Sequence, residues 1–116
     1  MSEHSSEQAN RRRFERVDIS QEAQVVVYHV TGKKAGLLRQ LARGGFSMEP
    51  DRDYSQDNKI YNFTIHDPLE NIRVTVNARP RSAGQDYAGF EFVDLDANSA
   101  VDIGIIMGAY YEHGKT

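Results

Sequence analysis

The sequence predicts an all-β domain with a terminal helix, in the form of a six-stranded antiparallel β-barrel with one α-helix across an opening. Three observations lead there. Between Ala23 and Val93, six short stretches are rich in β-branched and aromatic residues and are separated by polar, glycine-bearing or aspartate-bearing turns. From Ser99 onward the apolar spacing lengthens to that of a helix. A chain of 116 residues with no cysteine has room for one domain whose core holds without disulfide staples.

Residues 1–10 contain no aliphatic side chain larger than alanine after Met1, which predicts a disordered tail, and 11–116 are expected to form a single domain. Arg11, Arg12, Arg13 and Arg16 follow as a flexible arm, and Phe14, Val17 and Ile19 begin to touch a core. Ala23 to Val30 reads as the first strand, residues 31–34 as a turn, and Ala35 to Ala42 as the second strand of a hairpin. Arg43, Gly44 and Gly45 interrupt; paired glycines between apolar stretches imply a positive φ, a bulge or a close approach to the backbone.

Phe46 to Glu49 is the third strand. Lys59 to His66 alternates Tyr61, Phe63 and Ile65 against Ile60, Asn62 and Thr64, and Ile72, Val74, Val76 and Ala78 line one face of the fifth strand. Ser82 to Asp86 reads as a loop before the last strand, Tyr87 to Val93. In the helix, Val101, Ile105 and Ala109 form an apolar stripe widened by Ile106 and Tyr110. Ser99 with Asp102 fits a capping box, and Gly114 fits a stop. Gly104 and Gly108 each weaken a helix by roughly 1 kcal/mol relative to alanine, and they allow close approach to a sheet or a second helix. A homodimer through that face is left open.

Composition excludes several function classes. No apolar run spans a membrane, and the first residues lack the basic and apolar blocks of an export signal, so a cytoplasmic protein is expected. A net charge of -3 with no basic strand face argues against a DNA or RNA binder. Asp51, Asp53, Ser55 and Asp57 alternate like the start of a calcium loop. However, Gln56 stands where glycine is needed and Asn62 where glutamate is needed. The four histidines show no ligand spacing, and no nucleophile elbow, P-loop or dinucleotide fingerprint occurs. Neither a metal nor an enzymatic activity is expected.

Against this background the arginines stand out. Four of the fourteen basic residues fall within Arg11 to Arg16, a tight cluster on a mildly acidic chain, which suits a small, discrete anion. Guanidinium groups bind phosphate bidentately and stack on purine faces. The paired Gly44 and Gly45 offer backbone N–H groups of the kind that form anion nests.

The order of these parts resembles the PilZ domain family over roughly residues 11 to 112. Arg12 and Arg16 match its Arg-x-x-x-Arg motif. The Gln40 to Phe46 turn stands where an Asp/Asn-x-Ser-x-x-Gly motif is found, and Gly89, Phe90 and Phe92 match a late Gly-Phe-x-Phe strand. The second motif departs from the family pattern: Gln40 replaces the acid or amide, Ala42 replaces the serine, and Gly45 is kept. The resemblance implies a bacterial six-stranded barrel acting as a receptor or adaptor for the second messenger cyclic di-GMP. Its ligand-binding residues would be Arg11, Arg12, Arg13, Arg16, Gln40, Ala42, Arg43, Gly44, Gly45 and Arg79.

In that reading the arm closes over bound nucleotide and the new surface selects a protein partner. Loss of a charge-assisted and a neutral hydrogen bond at Gln40 and Ala42 costs about 2–4 kcal/mol of affinity. Restoring aspartate and serine there is therefore expected to tighten binding about tenfold or more, at roughly 1.4 kcal/mol per decade. The alternative is a PilZ-like interaction module of pilus or motility assemblies that binds no nucleotide.

Overall fold

The computed structural model describes residues 16–55, 57 and 59–114, with helix side chains as far as Tyr111. Arg11, Arg12, Arg13 and the proposed tail lie outside the described residues. Seven strands are present among the described residues: β1 (Arg16–Asp18), β2 (Val26–His29), β3 (Lys34–Ala42), β4 (Gly45–Pro50), β5 (Tyr61–Asp67), β6 (Ile72–Ala83) and β7 (Ala88–Phe92). A short 3-10 turn covers Gln21–Ala23, and one helix, α1, spans Ala97–Gly114.

All pairings are antiparallel, and β3-β2-β5-β6-β7-β4 closes on itself through the β3–β4 ladder. Six strands thus make the barrel and β1 is an addition to it. The added strand corrects the expectation that Arg16 belongs to the arm. β3 is longer than its partner β2, so β1 takes the remaining length of the same edge, with Arg16 opposite Ala42 and Asp18 opposite Gln40. Residues 21–25 leave the ladder between the two, with Gln24 in the left-handed region at φ 55°, so the first expected strand begins at Val26 instead of Ala23.

Alternation does the packing. Val27, Leu38, Leu41, Met48, Phe63, Ile65, Val74 and Val76 point inward and are buried, each worth about 1.5–3 kcal/mol of apolar transfer. Rings fill one end: Phe46 and Phe63 lie 5.1 Å from Phe90 by ring centroid, in stacked and edge-on geometry respectively. β6 runs on to Ala83, through a bulge between Pro80 and Ser82, where a loop is expected from sequence. The bulge tolerates Pro80, which has no ladder N–H to give.

The helix is corrected in two respects. Its N-cap is Asp96, whose Oδ1 accepts from the Ser99 N–H at 2.7 Å and whose carbonyl accepts from the Ala100 N–H at 2.9 Å. Ser99 therefore sits inside the first turn and turns its hydroxyl toward the Thr75 carbonyl at 3.3 Å. The buried face is Ile103, Ile106, Met107 and Tyr110, whereas Val101 and Ile105 are 60% and 46% exposed. Apolar residues occur all around this helix, so periodicity does not select a face.

Contacts to the sheet make the selection. The helix packs on β1, β3 and β6, and it is anchored at Ser99 and, eleven residues or about 16 Å further on, at Tyr110. Side chains added at Gly104 or Gly108 would meet nothing, so these glycines serve no close approach within the described chain.

The Tyr110 anchor is a buried polar bond. Asp67, fully buried at the end of β5, accepts from the Leu69 and Glu70 N–H groups at 3.0 and 3.1 Å and from the Tyr110 hydroxyl at 2.5 Å. It thereby ties the β5–β6 hairpin turn to the helix. Burial first, then the Asp67 hydrogen bond and charge, push the Tyr110 hydroxyl above its usual value near 10.

The native state holds this proton more tightly than the unfolded chain. The bond's stabilisation is therefore complete below pH 10 and is lost as pH rises through the raised value. Tyr110→Phe is predicted to lose about 1.5–3 kcal/mol in urea unfolding at pH 7. It should also flatten part of the alkaline decline. Tyr54, raised by burial and by neighbouring Tyr61, contributes in the same direction.

Candidate functional site

Reading across the sheet shows what sits on its outer face. Starting from β1, the strand neighbours are β3, β4, β7 and β6, which spans roughly 19 Å along the sheet. One row of partners runs Asp18, Gln40, Ser47, Gly89, Ser82. The next begins with Arg16 opposite Ala42 and ends with Glu91, flanked by Gly45 on one side and Arg79 on the other. Small residues therefore occupy the middle of both rows, with Asp18 at one margin of the first and Arg16 and Arg79 at the margins of the second.

The result is a groove of about 320 Å³. One wall carries Arg16, the β3–β4 turn and neighbouring outward residues supply Gln40, Ala42, Gly44, Gly45 and Ser47, and the far wall carries Arg81, Ser82 and Glu91. Gly89 and Gly45 leave its floor without side chains.

Five of the expected binding residues are thus brought together: Arg16, Gln40, Ala42, Gly44 and Gly45. Arg43 is exposed on the turn and Arg79 is exposed on the outer face of β6, and neither lines the groove. Arg81, Ser82, Ser47 and Glu91 line it without having been expected from sequence. Arg81 has no sequence signal because it lies between the alternating stretch that ends near Arg79 and the loop expected from Ser82, at a bulge that resets the side-chain alternation. Glu91 looked like one more polar residue within an aromatic strand.

The two glycines of the turn differ. A side chain on Gly45 would overlap the Phe90 carbonyl of β7, so close strand approach requires glycine there. Gly44 has ordinary φ and nothing near its missing side chain, and its carbonyl accepts from the Phe92 N–H at 2.9 Å. Packing within the described chain therefore gives no reason for glycine at 44, whereas an open backbone beside a groove suits a ligand.

Gln40 is already engaged. Its Nε2 donates to Asp18 Oδ1 at 2.9 Å across the β1–β3 pair. That changes the outlook for restoring the acidic residue: aspartate at 40 would face the Asp18 carboxylate in register and lose this bond. Across the groove, Glu91 lies 3.6 Å from both Arg79 and Arg81.

Other cavities suit an anion less well. One of about 510 Å³ between β6 and the start of α1 sets Asp94, Asp96 and Asp102 against Arg73. Another, of about 460 Å³, has Lys33, Lys34 and Lys59. Lys34 and Lys59 lie 4.0 Å from Asp51 and Asp57. His29 beside it has its pKa lowered by burial and then by Lys33 and Lys59, which favours the neutral imidazole. Among the described residues no His, Asp and Glu side chains gather as around a metal ion, and no helix is long and apolar enough to cross a membrane.

By sequence, the chain matches no protein-family model and no curated protein. By structure, it is similar to the PilZ domain with c-di-GMP of YcgR from Escherichia coli, with a TM-score of 0.70 at 10% identity over 86% of this chain and 91% of that one. It is also similar to the PilZ domain of CeSA from a cellulose-synthesizing bacterium, with a TM-score of 0.60 at 15% identity over 81% and 95% of the two chains. A Legionella uncharacterized protein, Lpg0364, aligns with a TM-score of 0.58 at 7% identity over 87% and 98%. The chain has the PilZ-domain fold: a closed six-stranded antiparallel barrel with one extra strand and a helix after the last strand.

The contrast between the glycines is open to test by thermal or urea unfolding. Gly45→Ala is predicted to destabilise by about 1–3 kcal/mol, because β4 and β7 must separate. Gly44→Ala should stay within about 0.5 kcal/mol of the parent.

Proposed function

We propose that the groove binds cyclic di-GMP and that the protein is a receptor or adaptor handing this signal to a partner protein. The observation that carries the reading is the register of β1 on β3. It sets Arg16 opposite Ala42 at the margin of a groove floored by glycines, with a second arginine on the far wall. Guanidinium forks at both margins match the phosphates of a flat cyclic dinucleotide, and bare backbone between them allows its close approach. The likeness to a YcgR domain described with c-di-GMP supports the choice of ligand.

Arg12 stands four residues before Arg16, about 13 Å along an extended chain, and in this reading it contacts the same ligand. With Arg11 and Arg13 it supplies further phosphate or base contacts as the segment closes over the ligand. Ordering that segment costs entropy, which the charge-assisted bonds must exceed. The altered surface is what a partner protein selects. Ala42 gives no hydroxyl and Gln40 spends its amide on Asp18, so this receptor has fewer contacts in its second motif than the family pattern provides.

One observation favours a second reading. The same Gln40–Asp18 bond makes this wall self-satisfied, as an interaction module without nucleotide would be.

Isothermal titration with cyclic di-GMP near physiological salt separates the two. The receptor reading expects micromolar or tighter binding, on the order of 8 kcal/mol. No heat and no chemical-shift change up to about a millimolar, roughly 4 kcal/mol, leaves the interaction module.

Two variants sharpen the test. Arg16→Ala is expected to weaken binding about 10- to 150-fold, from the loss of one charge-assisted bond, with the barrel still folded because Arg16 is exposed. Ala42→Ser adds a hydroxyl to the groove and is expected to tighten binding about 2- to 10-fold. Gln40→Asp alone should not tighten it while Asp18 is a carboxylate.

A further inference from the structure

Glu91 is one carboxylate shared by two arginines. Arg79 Nη1 lies 3.6 Å from its Oε1, and Arg81 Nη1 lies 3.6 Å from its Oε2. Both distances exceed ordinary N–H···O hydrogen-bond length, so the attraction is Coulombic and the guanidinium donors stay unspent. The arginine side chains are 53% and 62% exposed, and exposed pairs of this length contribute little to stability. The fold therefore does not require the cluster. Its chemistry is that of a cation pair with one internal counter-ion and a surplus positive charge, placed where Arg81 and Glu91 form the far wall of the groove.

We infer that Arg81, assisted by Arg79, is a phosphate-binding arm of this groove, and that Glu91 is the internal anion which a phosphate group displaces. The inference rests on the nucleotide reading only for the identity of the ligand; the chemistry recognised is a phosphate-class anion. Before binding, Glu91 holds both guanidiniums toward β7. An incoming phosphate offers more acceptor oxygens and accepts from the Arg81 fork bidentately, which one carboxylate 3.6 Å from each of two arginines does not. Glu91 therefore lowers affinity while keeping the arm in place and weakly attached. Arg16 approaches the same anion from the opposite margin, so the two walls close on it from two sides.

The experiment is titration of the full chain with cyclic di-GMP and, separately, with inorganic pyrophosphate. Arginine side-chain Nε–H resonances are followed, in the parent and in Arg81→Ala, Glu91→Gln and Arg16→Ala. The expected result is at least roughly tenfold weaker binding for Arg81→Ala and roughly threefold or tighter binding for Glu91→Gln, with melting temperatures unchanged.

Cyclic di-GMP binding that is weakened by Arg16→Ala but indifferent to Arg81→Ala overturns this inference and leaves the receptor reading standing. Pyrophosphate binding that depends on Arg81, in a protein that ignores cyclic di-GMP, supports the anion arm and removes the nucleotide. Binding of neither probe overturns both, and weaker binding by Glu91→Gln overturns the role given to that carboxylate.

Discussion

The arrangement of the groove is referenced to β3, whose ladder is occupied on both edges along most of its length. β4 takes one edge, and β2 and β1 divide the other. Antiparallel pairing fixes side chains to a period of two, so the choice of register decides which residues of β1 face outward. Val17 and Ile19 are buried, and α1 packs on β1. A slip by one residue would expose Val17 and drive Arg16 and Asp18 toward the core. Burial of two apolar side chains thus holds the position of a charged one. The site is therefore set by the hydrophobic core and not by contacts among the functional residues themselves.

The same dependence reaches further through the helix. Asp67 and Tyr110 fix one end of α1 to the β5–β6 hairpin, and Ser99 fixes the other end to β6. Between them the helix covers β1. A buried carboxylate far along the chain from the groove consequently helps to determine where Arg16 stands. Loss of a partner to buried Asp67 is costly because its charge is then less well satisfied, so the anchor is steep as well as directional. Electrostatics at the far wall are looser: two guanidiniums, at 79 and 81, share one carboxylate, at 91. Rigid placement by the core and adaptable charge at the margins are properties of different parts of one sheet.

The barrel strands were legible because alternation and β-branched residues register directly in sequence. Phe63, Ile65, Val74 and Val76 point where their spacing says they must. Three features were not legible, each for a physical reason. β1 is three residues long, too short for alternation to show, and it exists because β3 has edge to spare. The rotation of α1 is not legible because Val101 and Ile105 are as apolar as Ile103 and Ile106. Contacts at Ser99 and Tyr110, unseen in a one-dimensional pattern, break the tie. At the site, Arg16, Gln40, Ala42, Gly44 and Gly45 were legible from their family-like order, whereas Arg81 and Glu91 belong to strands that reach the groove only through pairing. The bulge at Pro80 to Ser82 shifts alternation just where Arg81 would otherwise have been placed.

That last point bears on the altered second motif. A linear motif counts positions along one strand, but a ligand lying on a sheet meets rows that cross strands. Along the row through Gln40 the outer face presents a carboxylate at Asp18, an amide at Gln40, a hydroxyl at Ser47, bare backbone at Gly89 and a hydroxyl at Ser82. The acid and hydroxyl absent from positions 40 and 42 thus have counterparts one strand to either side, about 4.8 Å away. Substitution within the motif removes groups from β3 without emptying the surface of the chemistry those groups provide. The missing hydroxyl at Ala42 and the missing acid at Gln40 are therefore a deficit of β3 alone, whereas the groove takes its lining from five strands.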